Sequence, residues 1–113
     1  MDQQAGLVSR RQFTELGGQH GDLERLLRRR QLDRLMPGVL IAPTDQVTWH
    51  QRAWAGVLHF WPAALAGESA LRAVAGPGWR RYDDRAPITI AVSAERTLHQ
   101  IEGYAARKMR ALD

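Results

Sequence analysis

Arginine is the residue type with the most evident chemistry in this chain. The sequence holds 16 Lys and Arg residues against 12 Asp and Glu, and all but one of the basic residues are arginine. The planar guanidinium group binds phosphates and guanine edges through paired hydrogen bonds. We predict that Arg25, Arg28 and Arg29 contact DNA in this way, while Gln19 and His20 reach base edges. The alternative is a solvated helix end whose cations complement the helix dipole.

Three further arginines are candidate DNA contacts. Arg10 and Arg11 stand at the start of a predicted helix, where free backbone N–H groups and positive side chains together suit a phosphate. Plain surface charge is the alternative for this pair. Arg34 lies on a predicted hairpin, from which it would contact the neighbouring minor groove or backbone. Asp22 and Glu24 reduce the attraction to phosphate, although either could orient an arginine or accept a hydrogen bond from cytosine.

No group of residues predicts an enzyme or a metalloprotein. The sequence contains no glycine-rich phosphate loop, no nucleophile elbow and no pair of carboxylates at helical spacing. His50 and His59 are nine residues apart without a third ligand nearby, which disfavours a zinc site. Glu68 is interpreted as an acid at the start of a helix. Asp83 and Asp84 are interpreted as loop residues that could pair with Arg80, Arg81 or Arg85. We expect no catalytic residue, metal or cofactor.

The chain around the first arginines predicts two helices joined by a short turn. Ser9 and Gln12 have the spacing of a capping box, which predicts a helix over residues 10–16. Gly17 and Gly18 supply the conformational freedom that ends such a helix. A turn of a few residues should then lead into the second helix.

The second helix and the segment behind it complete a three-part unit. Leu23, Leu26 and Leu27 share one helical face, which the stem of Arg30 extends. A proline–glycine turn at 37–38 between two apolar runs predicts a hairpin. A hairpin directly behind two such helices is the arrangement of a winged helix, whose second helix is the one presented to the major groove.

A third helix is predicted after this unit. Thr48 and Gln51 form a second capping box, and the apolar stripe that follows ends at Pro62. Its buried face is expected to carry Trp49, Trp54 and Trp61, for which core packing is favoured over base stacking.

The last third of the chain predicts one helix, one strand and an ambiguous tail. Residues 63–76 indicate a helix, and residues 87–92 alternate as a strand does. From residue 93 the apolar spacing fits a helix, in which Gly103 would cost about 1 kcal/mol. A strand over residues 103–109 is the alternative. The inward residues of the 63–76 helix are expected to be Leu65, Ala70, Leu71 and Val74.

Length and composition limit the remaining classes. A chain of 113 residues with 44% hydrophobic and 25% charged residues predicts a small globular protein, and the helices and strands predicted above give it an α+β fold. We divide it into a winged helix over residues 1–45 and an α/β segment over residues 46–113.

The absence of cysteine excludes disulfides and thiolate chemistry. The longest apolar stretch is too short to span a bilayer and no export signal begins the chain, so we expect a cytoplasmic protein without a membrane partner.

Five stretches give the sequence a resemblance to a known family. In order, they are GLVSRRQ at 6–12, DLERLLRR at 22–29, PGV at 37–39, TWHQRAWA at 48–55 and ALAGESAL at 64–71. Together they resemble the amino-terminal region of the AbiEi-type antitoxins, which are winged-helix proteins abundant in actinobacteria. Each stretch alone is weak, and the resemblance depends on their common order.

The resemblance implies a DNA-binding protein that represses its own toxin–antitoxin or abortive-infection operon. Its expected partners are double-stranded DNA, a cognate toxin and a second copy of the chain. One alternative is a protein-interaction module that neutralises a toxin while the helix pair binds nothing. Another is the DNA-targeting part of a nuclease, since many relatives continue into a domain similar to very-short-patch repair endonucleases. The sequence given ends at Asp113, before the place of such a domain.

Overall fold

The fold is mixed α and β, as the helices and strands expected from the sequence implied. The computed structural model describes residues 6–15, 17–18 and 20–109. Within them, four α helices and two three-stranded sheets form two compact units, Met1–His59 and Phe60–Asp113. Our sequence-based boundary after residue 45 therefore lies inside the first unit, because the third helix belongs to that unit. None of the described helices has the length and hydrophobicity needed to cross a bilayer.

The first unit contains the two predicted helices and the predicted hairpin. The elements in chain order are β1 (Leu7–Ser9), α1 (Arg10–Glu15), α2 (His20–Arg28), β2 (Asp33–Met36), β3 (Val39–Ile41) and α3 (Trp49–His59). The three strands form an antiparallel sheet in the order β1–β3–β2. The expected last residue of α1, Leu16, lies outside the described residues.

The sheet of the first unit is covered on both faces. Successive residues of β1 and β3 point to opposite sides, as the pleat requires. One face packs against α3 through a cluster of Leu7, Val39, Ile41, Ala55 and Leu58. The other face packs against α2 through Val8, Leu23, Leu32 and Leu40. The sheet thereby fixes which face of α2 is buried and which points to solvent.

Both predicted capping boxes are confirmed. The Ser9 hydroxyl accepts a hydrogen bond from the Gln12 backbone N–H at 3.1 Å, and Gln12 Oε1 accepts one from the Ser9 N–H at 3.0 Å. Thr48 and Gln51 repeat this exchange at 3.1 and 2.9 Å. Each box satisfies two donors that the start of a helix would otherwise leave without partners.

Helix α1 ends in a turn that depends on its two glycines. The Gly18 N–H donates to the Phe13 carbonyl at 2.9 Å, and the Gly17 N–H donates to the Thr14 carbonyl at 3.0 Å. Gly17 has a φ of 91°, in the left-handed region that this pair of hydrogen bonds requires. The prediction that these glycines end the helix is confirmed.

Substitution of Gly18 by alanine should destabilise the protein, because an added Cβ would overlap the ring of Phe13. That ring packs against the cluster of Val8 and Leu23, so moving it disturbs the core. We expect Gly18→Ala to lower the free energy of unfolding by about 1–2 kcal/mol in urea titrations. Gly21→Ala is the control, since its Cβ would meet nothing within 4 Å. Equal losses in the two variants would contradict this account.

The second unit is a separate three-stranded sheet with one packed helix. Its elements are β4 (Ala63–Leu65), α4 (Gly67–Ala75), a 3₁₀ turn (Trp79–Arg81), β5 (Ile88–Ser93) and β6 (Tyr104–Met109). β4 pairs antiparallel with β5, and β5 pairs parallel with β6. The predicted strand at 87–92 is confirmed, and the tail follows its strand alternative. The predicted helix at 63–76 was wrong at its start, where Leu65 pairs with Ile90 in the sheet.

The predicted inward face of the second unit's helix was also wrong. Leu71 and Val74 of α4 are 53% and 89% exposed, whereas Ser69 and Arg72 are 1% and 3% exposed. The inward side is set by the hydrogen bonds of these two polar residues and not by apolar spacing. Trp61 likewise follows the end of α3 and is 44% exposed, so its expected place in the core was wrong.

Candidate nucleic-acid interface

The outward face of α2 carries the arginines that the sequence singled out. Because Leu23 turns inward to the sheet, Arg25, Arg28 and Arg29 point to solvent, and all three are exposed. They line a shallow groove of about 230 Å³. Arg25 forms an ion pair with Asp22, one turn earlier on the same helix. The exposed face of α2 is therefore acidic in its first turn and basic in its last.

Arg28 and Arg29 differ from Arg25 in their electrostatic surroundings. Within residues 6–15, 17–18 and 20–109, neither forms an ion pair. Arg30 does not extend the buried face as expected, because it follows the end of α2 with a φ of 57° and is exposed. The end of α2 thus presents consecutive guanidinium groups whose charge no described carboxylate compensates.

A second cationic cluster joins three elements of the first unit. Arg34 Nη2 of β2 lies 3.4 Å from Glu24 Oε1 of α2, and Arg10 Nη2 of α1 lies 3.8 Å from the same atom. Beside this trio is an open groove of about 440 Å³, lined by Arg10, Arg34 and residues 35–40. The sequence predicted Arg10 and Arg34 as separate contacts, and the fold brings them together around one carboxylate.

The remaining predicted contacts contribute less to a common surface. Arg11 forms an ion pair of 2.8 Å with Glu15, one helical turn later, and both side chains are exposed. An exposed pair at this spacing stabilises a helix by only about 0.3–0.5 kcal/mol. His20 is the first residue of α2. Gln19 lies outside the described residues. The arginines of α2 and the Glu24 cluster are therefore the described parts of the candidate interface.

The hairpin turn is held at two backbone carbonyls. The Arg10 N–H donates to the Gly38 carbonyl at 2.9 Å, and His59 Nδ1 donates to the Pro37 carbonyl at 2.7 Å. These bonds tie the turn to the start of α1 and the end of α3. The role of His59 was missed in the sequence, where it was considered only as a metal ligand, and no local pattern relates it to residue 37.

The second unit contains a buried polar cluster that has a structural explanation. Ser69 Oγ accepts from the Thr89 N–H at 2.9 Å and is hydrogen-bonded to the Tyr82 hydroxyl at 3.0 Å. Arg72 donates to both carboxylate oxygens of Asp84, at 2.8 and 3.0 Å. The hydrogen bonds with Asp84 raise the pKa of Arg72 against the opposing effect of burial. The cluster fastens α4 and the following loop to β5.

Asp84 has a partner outside its own loop. Its carboxylate pairs with Arg72, twelve residues earlier. Asp83 instead accepts a hydrogen bond from the Arg85 backbone N–H at 2.9 Å. The sequence signal that could have found Arg72 is its position three residues after Ser69, which places both on one side of a helix.

The described residues define a small α+β protein with an exposed arginine surface on its first unit. No three His, Asp or Glu side chains among them are grouped so that they could hold a metal ion. Comparisons of the chain with models of protein families, with curated proteins and with solved structures give no match. The arginine surface therefore carries the functional inference.

Proposed function

We propose that the chain is a DNA-binding transcriptional regulator of the antitoxin type, and that its first unit is a winged helix that represses its own operon. The observation that carries this proposal is the exposed arginine cluster at the end of α2, where Arg28 and Arg29 have no ion-pair partner among the described residues. Two neighbouring guanidinium groups can each bind a phosphate of the DNA backbone.

The order of elements around this cluster supports the same proposal. α2 follows a helix and a short turn, and the β2–β3 hairpin comes directly after it. In helix–turn–helix proteins the second helix enters the major groove while its neighbours contact the backbone. Arg34 on the hairpin and Arg10 on α1 lie close enough to share Glu24, so one backbone contact could involve both.

The acidic first turn of α2 affects how the helix would meet DNA. Asp22 and Glu24 oppose the approach of phosphates to the start of the helix, whereas Arg25, Arg28 and Arg29 attract them to its end. We infer that the arginines at the end of α2 provide the contacts of this helix to the DNA backbone. Affinity then depends mainly on phosphate contacts and should be strongly reduced by salt.

Salt titration tests this function directly. We expect the intact chain to bind a labelled duplex of about 20 base pairs in fluorescence anisotropy. Between about 50 and 200 mM salt, log Kd should rise with log salt concentration with a slope of about 2–3, since each phosphate contact contributes about 0.9. A duplex from upstream of the chain's own gene should bind more tightly than a scrambled one. An affinity that salt leaves unchanged would refute the proposal.

A protein-interaction role is the second candidate, with a toxin or a second copy of the chain as partner. The exposure of Leu71 and Val74 on α4 favours it, because large apolar side chains on a surface often mark an interface. The double variant Arg25→Ala/Arg28→Ala separates the two candidates. Repression of a reporter under the chain's own promoter should fall in this variant if DNA binding is the function. If protein interaction alone is the function, the variant should leave reporter expression unchanged.

A further inference from the structure

Glu24 lies between two arginines that the fold brings together from different elements. Its Oε1 atom is 3.4 Å from Arg34 and 3.8 Å from Arg10. Tight charge-assisted hydrogen bonds are shorter, about 2.7–2.9 Å. One carboxylate oxygen therefore holds two guanidinium groups loosely, and the trio keeps an excess positive charge. The side chains of Glu24, Arg34 and Arg10 remain 38%, 59% and 39% exposed, so an external anion can reach them.

The strand register explains why Arg34 belongs to this trio. Arg34 pairs with Leu40, whose side chain packs on the same face as Leu23 of α2. Directly paired residues of two strands share a face of the sheet. The preceding residue, Asp33, pairs with Ile41, which belongs to the cluster on the α3 side. Asp33 and Arg34 therefore lie on opposite faces, and only Arg34 is directed toward Glu24.

We propose that Arg10 and Arg34 clamp one phosphate of the DNA backbone and that Glu24 acts as an electrostatic brake on this clamp. The inference rests on the proposed function and names one subsite within it. A phosphodiester has two non-bridging oxygens, one for each guanidinium group, and the groove of about 440 Å³ beside the arginines leaves room for it.

Glu24 has two opposite effects on this subsite. In the free protein it holds Arg10 and Arg34 near each other, although like charges repel. In the complex the Glu24 carboxylate either stays beside the phosphate and repels it, or moves away and loses its attraction to both arginines. Either outcome weakens DNA binding. DNA affinity in the unmodified protein is consequently lower than its arginines alone would give, so a stable complex requires further contacts from α2.

The variant Glu24→Gln tests the brake, since it removes the charge and nearly keeps the shape. We expect the Kd for a mixed-sequence duplex of about 20 base pairs to fall by about 3- to 5-fold, the range of an exposed charge interaction. Asp33→Asn is the matched control, because it removes the same charge one residue from Arg34 on the other face. It should change Kd by less than about 2-fold, since salt screens the more distant charge.

A second variant tests the clamp itself. Arg34→Ala should weaken binding and reduce the salt slope by less than about 0.9, the contribution of one whole phosphate contact, since Arg10 still contacts the same phosphate. Circular dichroism spectra identical to those of the unmodified chain establish that all the variants are folded. If Glu24→Gln binds no more tightly than Asp33→Asn, the brake is refuted. If Arg34→Ala leaves the slope unchanged, the clamp is refuted. In both cases the DNA surface on α2 stands. If the unmodified chain shows no salt-dependent duplex binding, the proposed function itself fails.

Discussion

Replacement of both Arg28 and Arg29 by alanine is expected to weaken duplex binding by roughly 100-fold at low salt. A hydrogen bond to a charged group contributes about 1.5–3 kcal/mol, and each 1.4 kcal/mol changes Kd about tenfold. Because these two guanidinium groups have no ion-pair partner among the described residues, their interaction with phosphate does not first require breaking such a pair. Fluorescence anisotropy with a labelled duplex measures the effect.

The salt slope distinguishes this loss from a general effect of charge. Two phosphate contacts at about 0.9 each predict that the slope falls by about 1.8 in the double variant. The control is Arg107→Ala/Lys108→Ala, which removes two adjacent exposed cations from β6 in the second unit. It should leave the slope within about 0.5 of the unmodified value. Equal losses in the two double variants would show that net charge, and not the surface of α2, governs binding.

The variant Asp84→Ala is expected to lower the free energy of unfolding by about 2–3 kcal/mol. Arg72 is 3% exposed and donates two hydrogen bonds to this carboxylate, so the substitution leaves a buried guanidinium charge without its acceptor. Losses of about 3–5 kcal/mol are usual when one partner of a buried pair is removed. We expect a smaller loss for Asp84→Ala because Asp84 is 46% exposed, so water can replace part of its interaction with Arg72.

Two further variants make this expectation specific. Asp83→Ala removes the neighbouring carboxylate, which caps one backbone N–H, and should cost less than about 1 kcal/mol in urea titrations. Arg72→Met/Asp84→Ala removes both charges and should recover most of the loss, because an apolar side chain can fill the buried site. A double variant as unstable as Asp84→Ala would show that packing around the Arg72 stem, and not its charge, stabilises α4.

The pKa of Arg72 defines how this contribution depends on pH. The hydrogen bonds with Asp84 raise that pKa, so the folded state holds the proton more strongly than the unfolded state does. The resulting stabilisation is complete below the ordinary pKa of arginine and is lost only as pH rises above it. The difference between the unmodified chain and Asp84→Ala should therefore stay constant between about pH 6 and 9.

The elements that the sequence predicted correctly are those encoded by neighbouring residues. The Ser9 capping box, the two glycines after α1 and the leucine stripe of α2 each depend on contacts within one or two helical turns. The hairpin follows from a two-residue turn between apolar strands. The same local spacing placed Arg25, Arg28 and Arg29 on the outward face of α2, so this part of the candidate site was predictable.

The features that the sequence did not predict depend on residues far apart in the chain. β6 is a strand because it pairs in parallel with β5, although its apolar spacing fits a helix equally well. The inner face of α4 is set by Asp84 and Thr89, which come after the helix. Glu24 was recognised as a residue that could orient an arginine, but its place between Arg10 and Arg34 requires three elements to be packed together.

The tethered hairpin turn has a consequence for the free energy of association. Two carbonyl groups of the turn are already bonded, one to the start of α1 and one to the end of α3. A loop fixed in this way has little conformational freedom to lose when another surface meets it, so its ordering adds little entropic cost to complex formation. The hairpin turn can therefore meet a partner already in an ordered conformation.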